Sequence, residues 1–211
     1  MIENAPVLPE AVAQKLRTDI IAQLDAPGSA ITESAVGLRF GVARPTARIA
    51  IERLVADGLL RREPHQAARV PVLSATDIND LFANRAIVEG AAIAALTQNG
   101  TIPADALRAH RSLRSGSADF AHDDIQFHRA LVAGQPSPRL SRMHELLMGE
   151  IELCIGQVQS AHLITARKVA DQHQGILDAI TAGDAATAER LTRDHIVGAR
   201  DRLLTHLHTT N

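Results

Sequence analysis

From Asp77 onward, apolar residues recur at helical spacing in six successive segments, and none of these segments alternates as a strand would. Short breaks rich in Gly, Ser and Pro separate the segments, as at residues 115–117 and 134–138. The chain has no Trp or Tyr and only 2% aromatic residues, so its core must be built from Ala, Leu, Ile and Val. Because Ala and Leu favour helix, the sequence predicts an all-α helical bundle over residues 77–211.

The first 73 residues follow a different pattern. Residues 9–24 place four apolar side chains at a spacing of four, which predicts an amphipathic helix. A second, short helix is expected from Thr32 to its end at Gly41, and a third from about Pro45 to Ala56. The side chains expected to be buried are Val12, Leu16, Ile20 and Leu24 of the first helix and Ile49, Ile51, Leu54 and Val55 of the third.

Residues 59–64 and 68–73 predict two short strands around a turn at 64–67. Three helices followed by a small hairpin are typical of a winged helix-turn-helix domain, which we therefore expect over residues 1–73. A linker at 71–76 would join it to the helical bundle. The predicted fold class is mainly α, with these two domains in sequence.

Charge is distributed unevenly along the chain, although the net charge is only −2. Between Arg39 and Arg69 there are seven Arg and three acidic residues, which gives this segment +4 and leaves −6 for the remainder. A small basic module on an acidic body is a plausible electrostatic footprint for DNA. A solvated, Arg-rich helix face would produce the same pattern, so charge alone leaves both interpretations open.

Other features bound the compartment. Cys154 is the only cysteine, so no intrachain disulfide can form, which fits a reducing cytoplasm. Residues 1–12 lack the basic start and apolar run of a signal peptide. No apolar stretch reaches 18 residues, so we expect no membrane span and a cytoplasmic protein.

Residues 41–60, GVARPTARIAIERLVADGLL, resemble the recognition region of the GntR family of bacterial regulators. The C-terminal half resembles the FCD sensor domain of the family's FadR-type branch, in its shorter, six-helix, metal-binding form. The matching motifs are DIQFH at 124–128, HQGILDAITAGDAATAE at 173–189, and His195. Together the two resemblances cover essentially the whole chain, and they imply a ligand-responsive transcription regulator.

The resemblance implies that Arg44 and Arg48 contact DNA. Four residues is about one helical turn, so both guanidinium groups leave the same face of the helix, and Arg suits two-pronged contacts to guanine or phosphate. Thr46 would add a phosphate contact, and His65 would reach the adjacent minor groove. The competing interpretation is that these are ordinary surface side chains.

Three departures from the family pattern affect the operator sequence rather than DNA binding itself. The family's Ser before the first Arg is Ala43 here, which removes a hydroxyl that would cap the helix, although Pro45 suits an early helical position. A further DNA-contacting Arg of the preceding helix is replaced by Ser34. The usual Gly of the wing is Ala67.

In the sensor half, the resemblance implies that Asp124, His128, His173 and His195 bind a metal ion. Asp124 and His128 stand four residues apart and so project from one helix face. One carboxylate and three imidazoles suit a borderline divalent cation, Zn²⁺ first, with Ni²⁺ and Mn²⁺ as alternatives. Any one of these His alone would more commonly be a surface or core residue.

Arg85 matches an Arg that faces the effector pocket in the family. A metal ion and an Arg beside one cavity would suit a small organic acid, whose carboxylate the guanidinium grips with two hydrogen bonds. The competing interpretation is that Arg85 only pairs with Glu89, one turn on.

The leading hypothesis is a homodimer that binds palindromic double-stranded operator DNA, with its affinity controlled by a small carboxylate near a divalent metal. The alternative is a metal-dependent, hydrolase-like enzyme that uses the Asp/His₃ set to activate water. Such an enzyme would need a second acid or base nearby, yet Asp123 diverges from Asp124 by about 100° on a helix. We therefore expect no enzymatic activity.

Overall fold

The computed structural model describes residues 8–210, so residues 1–7 of the predicted first domain and Asn211 of the second lie outside the described part. Within that part the chain is mainly α, as the sequence predicted. The chain folds as two units. One comprises the chain up to Val72 together with Met148–Leu153, and the other comprises Leu73–Leu147 and Cys154–Asn211.

The described part of the first unit up to Val72 contains three helices and two very short strands. In chain order these are α1 (Leu8–Ile21), β1 (Ala30–Ile31), α2 (Glu33–Phe40), α3 (Arg44–Ala56) and β2 (Ala68–Arg69). The strands pair antiparallel, with Ala30 opposite Arg69 and Ile31 opposite Ala68. Arg61 forms a single bridge to Arg69.

This arrangement corrects the predicted hairpin. Residues 59–64 form no strand beyond the bridge at Arg61, and β2 is two residues long. The other partner of β2, Ala30–Ile31, was not predicted, because two paired residues are too short to produce a recognisable alternation.

Local capping explains where α2 and α3 begin and end. The Thr32 hydroxyl accepts a hydrogen bond from the backbone N–H of Ala35 and so caps α2. Gly41 ends α2 in the left-handed region at φ 65°, which glycine adopts without strain. The residue before α3, Ala43, gives no side-chain cap, and Pro45 lies in the first turn.

The core of the first unit combines buried residues of all three helices with those of the segments after α3. Its fully buried members include Leu16, Ile20, Ile51, Leu54, Leu59 and Leu60. Two predicted members are wrong: Leu24 lies beyond the end of α1 and is 70% exposed, and Ile49 is 53% exposed. The buried side of α3 instead uses Ala47 and Ala50, which bring the helix close to its neighbours.

Six helices follow β2 in the described chain, as predicted, and they belong to the second unit apart from residues 148–153 of α7. They are α4 (Ala75–Asn99), α5 (Ala104–Arg114), α6 (Phe120–Ala133), α7 (Pro138–Ser160), α8 (Ala166–Thr181) and α9 (Ala185–Thr210). Ser74 and Asp77 form a reciprocal capping box at the start of α4. Helix α4 packs against α6, α8 and α9, and α5 packs against α6 and α8.

A hydrophobic cluster fills the space between these helices and includes Ile93, Leu96, Phe127, Leu131, Ile176 and Ile180. No helix in the described residues combines the length and apolar character needed to cross a bilayer.

Candidate metal centre and nucleic-acid interface

Three helices bring one carboxylate and three imidazoles to a single point inside the second unit. Helix α6 supplies Asp124 and His128 from one face, α8 supplies His173, and α9 supplies His195. All four residues are buried, and one ligand atom from each lies within 4.8 Å of all the others. The structure thus brings together the four side chains that the sequence assigned to one site.

Asp124 lies at the centre of this cluster. Its Oδ1 is 3.1 Å from His173 Nε2, 3.4 Å from His195 Nε2 and 3.8 Å from His128 Nε2. Packing fixes the rings: Phe127, next to His128 on α6, stacks on His173 with ring centroids 3.8 Å apart and planes 9° from parallel. Packing against this apolar side chain therefore helps to fix the position of the His173 ring.

The ligand atoms fit a cation because most of them have no other partner. Asp124 Oδ1, His128 Nε2 and His173 Nε2 are fully buried and make no hydrogen bond within the described residues. Burying such atoms unpaired is costly, and a divalent cation would satisfy all of them at once. Three nitrogens and one oxygen are a donor set that Zn²⁺ accepts readily.

The protonation states also suit metal binding. Burial lowers the pKa of His173 from 6.5 to about 3, so the ring is neutral at neutral pH and keeps a lone pair for a cation. Burial alone would raise the pKa of Asp124, but the polar contacts with His173 and His195 outweigh it and hold that pKa well below its ordinary value. Asp124 is thus a carboxylate at neutral pH.

Two of the imidazoles contact a further polar side chain through the ring nitrogen Nδ1, while Nε2 lies towards Asp124. His128 Nδ1 lies 2.6 Å from Glu89 Oε2, and His195 Nδ1 lies 3.0 Å from Gln172 Oε1. Sequence reasoning considered Glu89 only as a partner of Arg85 and did not identify Gln172. Gln172 precedes a proposed ligand, but adjacency carries no signal that its side chain would reach His195.

Arg85 lies on α4 and is completely buried. Its Nε donates to Glu89 Oε1 at 2.6 Å, so the predicted pairing one turn along the helix does occur. Both terminal nitrogens, Nη1 and Nη2, are buried without a hydrogen-bond partner among the described residues. The pairing with Glu89 thus satisfies one nitrogen of the guanidinium and leaves the other two unpaired within the described residues.

On the first unit, the predicted DNA-contacting side chains lie at the surface. Arg44, Arg48 and His65 are exposed and Thr46 is partly exposed. Arg48 forms an ion pair with Glu33, with Nε 2.8 Å from Oε1 and Nη2 3.4 Å from Oε2. Both side chains of this pair are accessible to solvent, so an approaching partner can reach them.

A groove of about 320 Å³ runs beside this surface. Side chains from the start of α2, the start of α3 and the turn at 64–67 line it, among them Glu33, Ser34, Arg44, Arg62 and Gln66. Ser34, which stands where the family has a DNA-contacting Arg, thus lies in the same groove as Arg62. Sequence reasoning counted Arg62 only as part of the net charge of the segment.

Comparison with protein families assigns both halves. Residues 8–70 match the model described as "Bacterial regulatory proteins, gntR family", and residues 80–198 match the FCD domain. The chain belongs to the GntR family. Its FCD match covers more than half of the chain, and the two matches follow each other in the order predicted from the sequence motifs.

Individual relatives agree with the assignment. The chain is 28% identical to the uncharacterized HTH-type transcriptional regulator BphR of Paraburkholderia xenovorans, over 92% of this chain and 84% of that protein. It is 26% identical to the HTH-type transcriptional repressor GlaR of Escherichia coli K12, over 86% of this chain and 89% of that protein. These relatives, like the family, are transcriptional regulators and not enzymes, in agreement with the sequence prediction.

Solved structures share the fold. A GntR transcriptional regulator from Rhodococcus sp. RHA1 has a TM-score of 0.77 at 25% identity, covering 93% of this chain and 97% of that one. Escherichia coli McbR/YncC also has a TM-score of 0.77, at 19% identity and with 96% of this chain and 100% of that one covered. This GntR protein therefore combines a helix-turn-helix domain for DNA with an FCD helical domain.

Proposed function

We propose that this GntR regulator binds palindromic operator DNA as a homodimer, with its affinity set by a small carboxylate that binds beside a divalent metal. The functional domains would be residues 1–73 for DNA and 77–211 for sensing. The observation that carries the sensing part is the convergence of Asp124 and three imidazoles at one buried point. Glu89 links this cluster to Arg85, because it contacts both His128 and the Nε of Arg85, whose terminal nitrogens are unpaired within the described residues. A regulator of operator DNA acts in the bacterial cytoplasm, where we place the protein.

The metal part of the proposal rests on the donor set. Asp124, His128, His173 and His195 would hold one divalent cation, for which Zn²⁺ is the first candidate and Ni²⁺ or Mn²⁺ the alternatives. When bound, the cation would cross-link α6, α8 and α9 and leave room for a ligand oxygen in its coordination shell.

The effector part rests on Arg85. A buried guanidinium with two unpaired terminal nitrogens favours an anion with two oxygens, and a carboxylate has that geometry. The nearby cation adds a second attraction for the same charge. A small organic acid that touches both would be held by interactions that a neutral compound cannot make.

The DNA part rests on the exposed Arg44 and Arg48 on one face of α3, with Thr46 between them and His65 on the turn at 64–67. One such helix reads few base pairs, so useful specificity requires two copies on a two-fold symmetric site. Effector binding would change operator affinity only by favouring one arrangement of the protein over another.

A thermal-shift screen of small organic acids on Zn²⁺-loaded protein would test this function, followed by operator titrations at fixed salt. We expect hits to stabilise the wild type, to lose their effect in Arg85→Met, and to change operator affinity. Hits that stabilise both proteins equally would refute the role of Arg85. A monomer by light scattering, with and without operator, would refute the homodimer.

A further inference from the structure

Glu89 is a buried carboxylate that contacts three polar side chains, one of which is a candidate metal ligand. It lies on α4 and is 1% exposed. Its Oε1 lies 2.6 Å from Arg85 Nε and 3.0 Å from His144 Nε2, and its Oε2 lies 2.6 Å from His128 Nδ1. Neither Glu89 nor His144 belongs to the cluster of four candidate ligands.

The chemistry of these contacts determines which ring nitrogen of His128 carries the hydrogen. An ionised carboxylate only accepts hydrogen bonds, so the nitrogen that approaches Glu89 Oε2 must donate. A neutral imidazole has one N–H and one lone pair. If Nδ1 donates to Glu89, the lone pair is on Nε2, the atom that faces Asp124 and has no hydrogen-bond partner in the described chain.

We propose that Glu89 is a positioning residue of the metal centre, whose carboxylate fixes His128 in the Nδ1–H tautomer and so directs the Nε2 lone pair to the cation. This inference rests on the proposed metal site. It goes beyond that site because it assigns the orientation of a ligand to a residue that does not itself touch the cation.

Glu89 differs from the other partners behind the rings. The acceptor behind His195 is the neutral amide oxygen of Gln172, and His173 Nδ1 makes no hydrogen bond within the described residues. A charged acceptor makes the ring a stronger donor to the metal than an amide does. Of the three imidazoles, His128 therefore depends most on its second partner.

Arg85 compensates the negative charge of Glu89 inside the protein. A fully buried carboxylate needs a compensating charge, and Arg85 supplies it through a single Nε contact. Glu89 thereby holds the guanidinium on one side and the metal ligand on the other. One carboxylate would thus position both the anion-binding and the cation-binding residue.

Glu89→Gln tests the proposal with almost no change in shape. The amide nitrogen of Gln would donate to His128 Nδ1 and favour the Nε2–H tautomer, which cannot bind metal. We expect Zn²⁺ affinity, measured by competition with a chromophoric chelator, to fall by about 10- to 100-fold. Glu89→Asp keeps the charge on a shorter side chain and should lose less than Gln does.

His144→Gln is the matched control. His144 contacts the same carboxylate but lies outside the four-residue cluster, and Gln retains a donor for Glu89 Oε1. We expect this variant to bind Zn²⁺ as the wild type does. A loss equal to that of Glu89→Gln would show that the buried network, and not the contact with His128, maintains the site, and would overturn the proposal.

A second measurement needs no metal. Long-range ¹H–¹⁵N spectra of the metal-free wild type should show His128 with hydrogen on Nδ1, and spectra of Glu89→Gln should show it on Nε2. Hydrogen on Nε2 in the wild type overturns the proposal even if the Gln variant fails to fold. So does a folded Gln variant with wild-type Zn²⁺ affinity. A wild type that binds no Zn²⁺ would instead refute the metal site itself.

Discussion

The candidate metal centre and the candidate DNA-binding surface around Arg44 and Arg48 use charged and polar side chains in opposite ways. The four cluster residues are between 0% and 4% exposed, and their ligand atoms are placed by the packing of α6, α8 and α9. Arg48 is 61% exposed as a side chain and pairs with Glu33, itself 30% exposed. The candidate metal centre is part of the core of the second unit, whereas the candidate DNA-binding surface consists of charged side chains exposed to solvent on the first unit.

This difference determines what each site can tolerate. A buried site whose ligand atoms mostly lack hydrogen-bond partners gains much free energy from a bound cation. Its stability also depends on pH, because burial disfavours the charged form of each titratable group. An exposed ion pair contributes little to folding and responds to salt and to the partner. Substitutions in the cluster should therefore change both stability and metal binding, while those on the candidate DNA-binding surface should change DNA binding alone.

Removal of two candidate metal ligands should give the largest change in metal binding and stability. His173→Ala with His195→Ala leaves one imidazole and one carboxylate, too few to hold a cation tightly, so we expect stoichiometric Zn²⁺ to be lost. Zn²⁺ at about 1,000 times its dissociation constant should stabilise the wild type by about 4 kcal/mol and the double variant not at all. Metal analysis and a melting scan with and without Zn²⁺ would measure both.

His122→Ala is the control for that experiment, because His122 is an exposed residue of α6 outside the cluster. It should keep both the metal and the stabilisation. A double variant that retained one Zn²⁺ per chain and an unchanged melting temperature would show that the cluster is not the metal site.

The metal-free protein should lose stability as the pH falls from about 6.5 towards 3. The pKa of His173 is about 3 in the folded chain and 6.5 when unfolded, so between these values the unfolded state binds more protons. The free energy of unfolding should therefore fall by up to about 1.4 kcal/mol per pH unit from this one residue. The lowered pKa values of Asp124 and Glu89 act in the same direction.

Urea unfolding in the presence of a chelator, repeated across this pH range, would measure the slope. His173→Ala should flatten it, because that ring no longer contributes. Equal slopes for the wild type and the variant would contradict the assignment of His173 as a buried neutral imidazole.

The sequence predicted the helices and the convergence of the four cluster residues because both have periodic or motif signatures. Spacing of four placed Asp124 and His128 on one face, and apolar periodicity identified the six helices of the second unit. Contacts between side chains of different helices have no such signature in the sequence. The pairing of Glu89 with both His128 and His144 joins α4 to α6 and α7, so it follows from tertiary structure alone.

Errors in the first unit have a similar origin. Ile49 was expected inside because of its residue type, but Ala47 and Ala50 occupy the buried side of α3 since small side chains allow close helix approach. Strand β1 was missed because two residues carry no pattern. On the candidate DNA-binding surface, the sequence predicted a DNA contact for Arg48, which stays a prediction, and gave no indication that Glu33 pairs with it.

Arg44→Ala and Arg48→Ala should each weaken operator binding by about 1–3 kcal/mol if the side chain reads a base. The melting temperature should stay near that of the wild type, because both side chains are exposed. Arg53→Ala is the matched control, since Arg53 lies on the same helix, is 56% exposed and pairs with Glu10. Equal affinities for all four proteins in a gel-shift titration at fixed salt would refute the recognition-helix assignment.

Glu33→Gln should give the smallest change, and it should strengthen operator binding where Arg44→Ala and Arg48→Ala weaken it. Arg48 donates a hydrogen bond to Glu33 and lowers the pKa of that carboxyl, so Glu33 is ionised and competes with DNA phosphate for the same guanidinium. Removing the charge frees Arg48 and also removes a repulsion, and we expect operator affinity to rise by a few-fold, with no change in melting temperature. Because one more cation would then be available to a phosphate, the slope of log affinity against log salt should steepen by up to about 0.9. Weaker operator binding by Glu33→Gln would contradict this and would mean that Glu33 orients Arg48 for its contact with a base. The side chains of the exposed surface would then be positioned before DNA binds, as those of the buried cluster are before a cation binds.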